Sequence, residues 1–178
     1  TDGYSTGVLG RRYAPDGTPV GGEFVVNEFL LLGQGMPSVA VDPGGDFVES
    51  SDGLTDCDGH GTLIAGLIAG QPGNDGFSGV APAARLISIR QTSAKFSPRT
   101  PGGDPELSRA ATDVASLARA VVRAADLGAR VINISAITCV PPNKNVDQTE
   151  LGAALQYAAV QKDAVIIAAA GNNRGGLA

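Results

Sequence analysis

Three short apolar runs, separated by two stretches patterned as helices, set the strongest limit on how this chain folds. Arg85 to Arg90 (RLISIR), Val131 to Ser135 (VINIS) and Ala164 to Ala170 (AVIIAAA) are near-continuous in apolar side chains rather than alternating. Strands of that kind are buried on both faces. Between the first two runs an alanine-rich stretch opens at Asp104-Pro105, a fitting helix start, and closes at Gly128, a fitting stop. Leu107, Ala111, Val114, Leu117, Val121 and Ala125 recur in it at helical spacing, with Arg119, Arg123 and Asp126 elsewhere on the wheel. Before the third run, Asp147 with Glu150 three residues on predicts a capping box. The helix from Gln148 then carries Leu151, Ala154, Leu155 and Ala158 on one face. This alternation predicts an α/β domain, a parallel sheet with helices on both faces.

The length of 178 residues suits one domain, and 25 glycines with no tryptophan imply a core of small, closely spaced elements. Thirteen basic against eighteen acidic residues leave a net charge of -5, which argues against a phosphate-binding surface, so no nucleic-acid partner is expected. No apolar run is long enough to span a membrane, and Thr1 to Gly10 does not read as a signal peptide. Cys57 and Cys139 are compatible with one disulfide, with two half-bridges or with free buried thiols.

Residues 1–43 read as a divergent N-terminal segment, apart from 44–178. Asp16-Gly17 and Gly21-Gly22 are turn signals, and Glu23 to Val26 and Phe29 to Leu32 read as strands. No helix with a clear apolar face precedes His60.

His60, the sole histidine, lies in Asp56-Cys57-Asp58-Gly59-His60-Gly61-Thr62, followed at once by Leu63 to Ile68. The pattern predicts an imidazole at the rim of a helix whose body is buried, with glycines leaving room for a substrate. That position suits a general base. A helix-capping histidine of no catalytic use is the alternative. Asp56 and Asp58 stand at metal-ligand spacing, yet zinc needs three or four ligands and no EF-hand loop exists. They are expected to be solvated loop acids, and no metal or cofactor is expected.

His-Gly-Thr before an apolar helix resembles the histidine motif of the subtilisin-like serine proteases. Ser78 to Pro82 (SGVAP) with Ala84 to Ile89 is similar to that family's G-V-A-P turn and next strand. Val131 to Ser135 resembles the strand beside its substrate cleft, and Ala168 to Asn172 (AAAGN) resembles its oxyanion element. Gly44 to Val48, Asp52-Gly53-Leu54, Asp56-Cys57-Asp58 and Thr138-Cys139 narrow the resemblance to the mycosins, proteases of mycobacterial type VII secretion. The resemblance implies a cofactor-free peptidase at the periplasmic face of the cell envelope. Its partners would be a peptide or protein substrate and membrane components of the secretion system. It implies His60 as base, Asn172 as oxyanion donor, and Ser135 with Ala136 as backbone partners of an extended peptide.

Two expected groups have no clean match. The family's nucleophile stands in a Gly-Thr-Ser motif beyond the oxyanion element, and no Gly-Thr-Ser occurs in this chain. Val39-Ala40-Val41-Asp42 loosely resembles the aspartate strand, but Asp42 lies only eighteen residues before His60 and runs into Pro43-Gly44. A turn aspartate is the competing reading. Thr6-Gly7-Val8 is a second echo with Ser5 in the aspartate's place. Together these features predict an incomplete N-terminal half, truncated after the oxyanion-asparagine strand and inert by itself. In the resemblance both cysteines bridge to residues outside this stretch.

Overall fold

The computed structural model describes residues 9–13, 19–25, 39–74, 76–96, 104–138, 140 and 144–170. It falls into two compact units, Thr1–Met36 and Pro37–Ala178.

In the first unit, β1 (Leu9–Tyr13) pairs antiparallel with β2 (Pro19–Val25). The register slips between Gly10 and Arg12, whose partners are Phe24 and Val20. Gly21-Gly22, expected at a turn, therefore lie inside β2. Glycine is well suited to such an irregularity, where extra residues must bulge from the ladder. Ser5 to Val8, Asp16-Gly17 and Phe29 to Leu32 fall outside the described residues.

The second unit is the α/β body. Its elements run β3 (Val41–Asp46), α1 (His60–Ala69), β4 (Leu86–Arg90), α2 (Pro105–Asp126), β5 (Val131–Ile134), α3 (Thr149–Gln156) and β6 (Val165–Ala168). The parallel pairing expected from the apolar runs is present as two ladders, β3 with β4 and β5 with β6. Among the described residues no ladder bonds join β4 to β5. At the bulge in β3, Gly44 is buried, and a Cβ there would stand 2.6 Å from the Ile89 side chain.

The core lies on the helix side of β5 and β6. Ala118, Val121, Ala124 and Ala125 of α2 meet Ile132 of β5, Ala154 of α3 and Ala158 beyond it. Small side chains let these elements approach closely. Leu151 and Leu155 pack against the same cluster, as the helical spacing predicts. On α2 the buried stripe also runs through Ala110 and Ser116, while Ala111 is exposed. Asp104 caps α2 as expected, accepting from the amides of Glu106 and Leu107 at 3.0 and 3.3 Å. At α3 the helix starts one residue later than expected, and Asp147 accepts from the Thr149 amide at 2.9 Å. A wide π-helical turn, Tyr157–Gln161, continues α3. There Tyr157 donates to Asp126 at 2.6 Å, and Lys162 pairs with the same carboxylate at 2.9 Å.

The sequence predicts a buried body for α1. Instead only Ala69 is fully buried, and Leu63 is 61% exposed. An apolar helix is buried only where a neighbour covers it, and α1 is held chiefly at its ends. Gly79, Val80 and Ala81 donate to the carbonyls of Gly70, Leu67 and Ile68 at 2.8, 3.1 and 2.7 Å, satisfying the helix end. The outer face of the β5–β6 ladder is also open: Val131, Val165 and Ile167 are each more than half exposed.

Candidate active site

The start of α1 is built by one carboxylate. Gly59 precedes the helix in a left-handed conformation, φ 75°, and offers no side chain to cap it. Asp56 does this work from three residues earlier. Its Oδ1 accepts from the amides of Asp58 and Gly59 at 3.2 and 2.9 Å. Its Oδ2 accepts from the amide and hydroxyl of Thr62 at 2.7 and 2.8 Å. Burial alone would raise its pKa, but the Thr62 bonds and the two loop amides outweigh it and hold the carboxyl below its usual range. Asp56 is exposed, as expected of a solvated loop acid, and it also fastens the start of the helix. Asp58 accepts from the Ala94 amide at 3.1 Å, so it too has a fixed partner. Among the described residues no group of three or more metal-ligating side chains converges.

His60 opens α1 and is exposed, with Nε2 3.2 Å from the carbonyl oxygen of Ser135. A carbonyl only accepts, so in this contact Nε2 is the donor, and in the neutral ring Nδ1 then holds the lone pair. Ser135 directly follows β5, and Ala136 beyond it is exposed. The neighbouring strand leaves at the same end, because Ala168 pairs with Ile134 and the Ala169 amide donates to the Ile134 carbonyl at 3.1 Å. His60, Ser135 and the exit of β6 are therefore gathered at the C-terminal ends of parallel strands, where α/β folds place their chemistry. Asn172 lies outside the described residues.

Asp42 is placed differently. It sits near the start of β3, and its carboxylate is gripped by Arg85, whose Nε donates to one oxygen and Nη2 to the other at 2.9 Å. That grip lowers its pKa. Among the described residues no carboxylate, Asp42 included, reaches the His60 ring. A strand-edge ion pair takes the aspartate that the sequence offers as a triad candidate.

A buried charge pair closes the opposite ladder. Asp46 ends β3 and Arg90 ends β4, joined at 3.1 Å with side chains 0% and 7% exposed. Burial pushes the Asp46 pKa up, but Ser51, the amides of Glu49 and Val48, and Arg90 together bring it to about 2. Arg90 also pairs with Glu49 at 2.9 Å, donates to the Cys57 sulfur at 3.3 Å and stacks on Phe96 at 5.2 Å. This node fixes the loop from 46 to 57 that leads to His60. Sequence reasoning missed it, because Arg90 closes an apolar run but β3 (VDPGGD) has no apolar pattern to mark Asp46 as a strand end. Among the described residues Cys57 has no disulfide partner, and Cys139 lies outside them.

The profile of the Subtilase family matches residues 33–177. The chain belongs to this family. Within it, this subtilase stands among the mycosins of type VII secretion. It is 72% identical to Mycosin-3 of Mycobacterium tuberculosis over 83% of its own length and 32% of that protein. It resembles the structure of the MycP3 protease from the type VII (ESX-3) secretion system with a TM-score of 0.71 and 68% identity, covering 79% of this chain and 40% of that one. A third match, TM-score 0.71 at 42% identity, is to a chain in the periplasmic assembly of the ESX-5 inner membrane complex, covering 79% of this chain and 41% of that one. This subtilase chain thus spans about a third of the length of Mycosin-3. Among its described residues no helix is long and apolar enough to cross a membrane.

Proposed function

We propose that residues 44–178 are the base-and-cleft portion of a mycosin-type serine endopeptidase, and that this chain by itself holds an extended peptide without cutting it. The carrying observation is the contact between His60 and Ser135, which joins the histidine motif to the end of the cleft strand. In this reading His60 is the general base, and the backbone from Ser135 to Ala136 pairs with substrate. Asn172 is the oxyanion donor. Ala170, two residues before it, lies beyond the strand that pairs with β5, which supports the assignment. The absence of any Gly-Thr-Ser supports inertness, since imidazole alone forms no acyl-enzyme. The family's reaction needs no cofactor.

Two measurements test this. A fluorophosphonate probe is expected to label no serine, and labelling would overturn the inertness. A benzophenone-bearing peptide is expected to cross-link at Ser135 to Thr138, and cross-links confined to other segments would overturn the cleft.

A second reading is a non-catalytic module that binds secretion components at the periplasmic face of the envelope. It is favoured by the match to a chain of the ESX-5 periplasmic assembly. Co-purification with such components by a His60→Ala variant, together with failure of the cross-linking, would select it.

A further inference from the structure

A pocket of about 460 Å³ opens between the first half of α2 and the residues after β5. Its apolar lining is buried Ala110 with Ile137 and Val140. Its charged lining is Glu106, Arg109 and Asp113, which fall on one face of the helix.

These three charges are not equivalent. Arg109 bonds Asp113 through Nε at 3.3 Å. Its remaining nitrogens reach the carbonyls of Ser93, at 2.8 Å, and Phe96, and the Thr92 hydroxyl at 3.4 Å. The guanidinium is committed to the loop after β4 and is not free to grip a ligand carboxylate. Asp113 is equally occupied, accepting from Thr92 at 2.9 Å and Thr138 at 3.4 Å. Glu106 is exposed, and among the described residues its carboxylate meets no cation. With Arg109 and Asp113 offsetting each other, one negative charge without a partner among the described residues remains beside the apolar lining. An aliphatic stem ending in a cation complements that arrangement.

The pocket also lies close to the proposed chemistry. Ile137 is two residues beyond Ser135, so the chain places its wall within about 7 Å of the carbonyl that faces His60. Resting on the peptide-holding reading above, we infer that this pocket receives the lysine or arginine side chain of an extended peptide, a few residues from the bond that His60 would face. Glu106 is then the residue that sets the preference.

Fluorescence anisotropy on the full chain tests this with fluorescein-labelled octapeptides, each differing only in a lysine, alanine or glutamate scanned along its length. At one position the lysine peptide is expected to bind about three- to fivefold tighter than the alanine peptide, and the glutamate peptide weaker by a similar factor. The difference shrinks as salt is raised. Glu106→Gln, a near-isosteric change at an exposed site, removes the lysine-over-glutamate preference, and Glu106→Lys reverses it, with circular dichroism confirming that both variants fold. Equal binding of lysine and glutamate peptides at every position, or a preference that survives Glu106→Gln, overturns the inference while leaving the cleft intact. Failure of all three peptides to bind the unmodified chain overturns the cleft and the inference together.

Discussion

His60 donates from Nε2 to the Ser135 carbonyl across 3.2 Å, tying the first turn of α1 to the exit of β5. Because Nε2 carries the proton in this contact, the neutral ring is the Nε2–H tautomer. Ring nitrogen shifts from long-range nitrogen–proton correlation spectra should show it. A dominant Nδ1–H tautomer would mean that the contact does not persist in solution. As the lone pair lies on Nδ1, the ring must exchange tautomer or turn before Nε2 can accept a hydroxyl proton.

Asp56→Ala should weaken the domain more than Asp58→Ala. Asp56 accepts four hydrogen bonds at the start of α1, whereas Asp58 accepts one, from Ala94. Loss of such a cap costs about 1–2 kcal/mol. Urea denaturation of the two variants checks the order, and equal effects would refute it.

Asp46 should govern acid stability. Its folded pKa of about 2 lies below the unfolded value of about 4. The stability it contributes is therefore complete above about pH 4 and is lost as pH falls towards 2. Asp46→Asn should flatten that part of the stability profile. It should also lower stability at neutral pH by about 3 kcal/mol, because among the described residues the one carboxylate left to Arg90 is the more exposed Glu49.

The same substitution at two glycines should act in opposite directions. Gly53 has φ +87°, and a Cβ there would lie 2.2 Å from the Gly45 carbonyl oxygen. Gly53→Ala should destabilise by about 2 kcal/mol or more. At Gly61, inside α1, the nearest atom to a new Cβ is an Asp56 oxygen at an ordinary 3.5 Å. Gly61→Ala should be neutral or stabilise by up to about 1 kcal/mol. Thermal melts of both variants decide this.

The open face of the β5–β6 ladder should drive self-association. Val131, Val165 and Ile167 present adjacent apolar side chains to solvent. Sedimentation velocity should show concentration-dependent species that Ile167→Lys reduces. A cooperative monomer at all concentrations would count against the prediction.

Much of the body was legible because its signals are local. The alanine spacing and Asp104 cap of α2, and the apolar runs of β4 to β6, each depend on neighbours within a turn or a strand. The histidine motif and the cleft strand could be named, but only the fold shows that His60 meets Ser135, 75 residues away. Apolarity also reports a preference rather than a partner. Leu63 is as apolar as a core residue and stands exposed because nothing described covers it. Charges were the least legible. Asp42, Asp46 and Asp56 look alike in the sequence, yet their partners are a strand-edge arginine, a buried arginine and a helix start. Those fates depend on long-range pairing that no local pattern carries.

The wide turn after α3 holds one residue more per revolution than a regular helix. Loss of a single residue between Tyr157 and Gln161 would be absorbed by reversion to ordinary winding, with the ladder into β6 left in place. The residues beyond the deletion would keep their facing relative to α2, because only the surplus residue of the turn is lost. Lys162 and Tyr157 would then both keep their reach to Asp126. That turn is where the chain can change its length with the least damage.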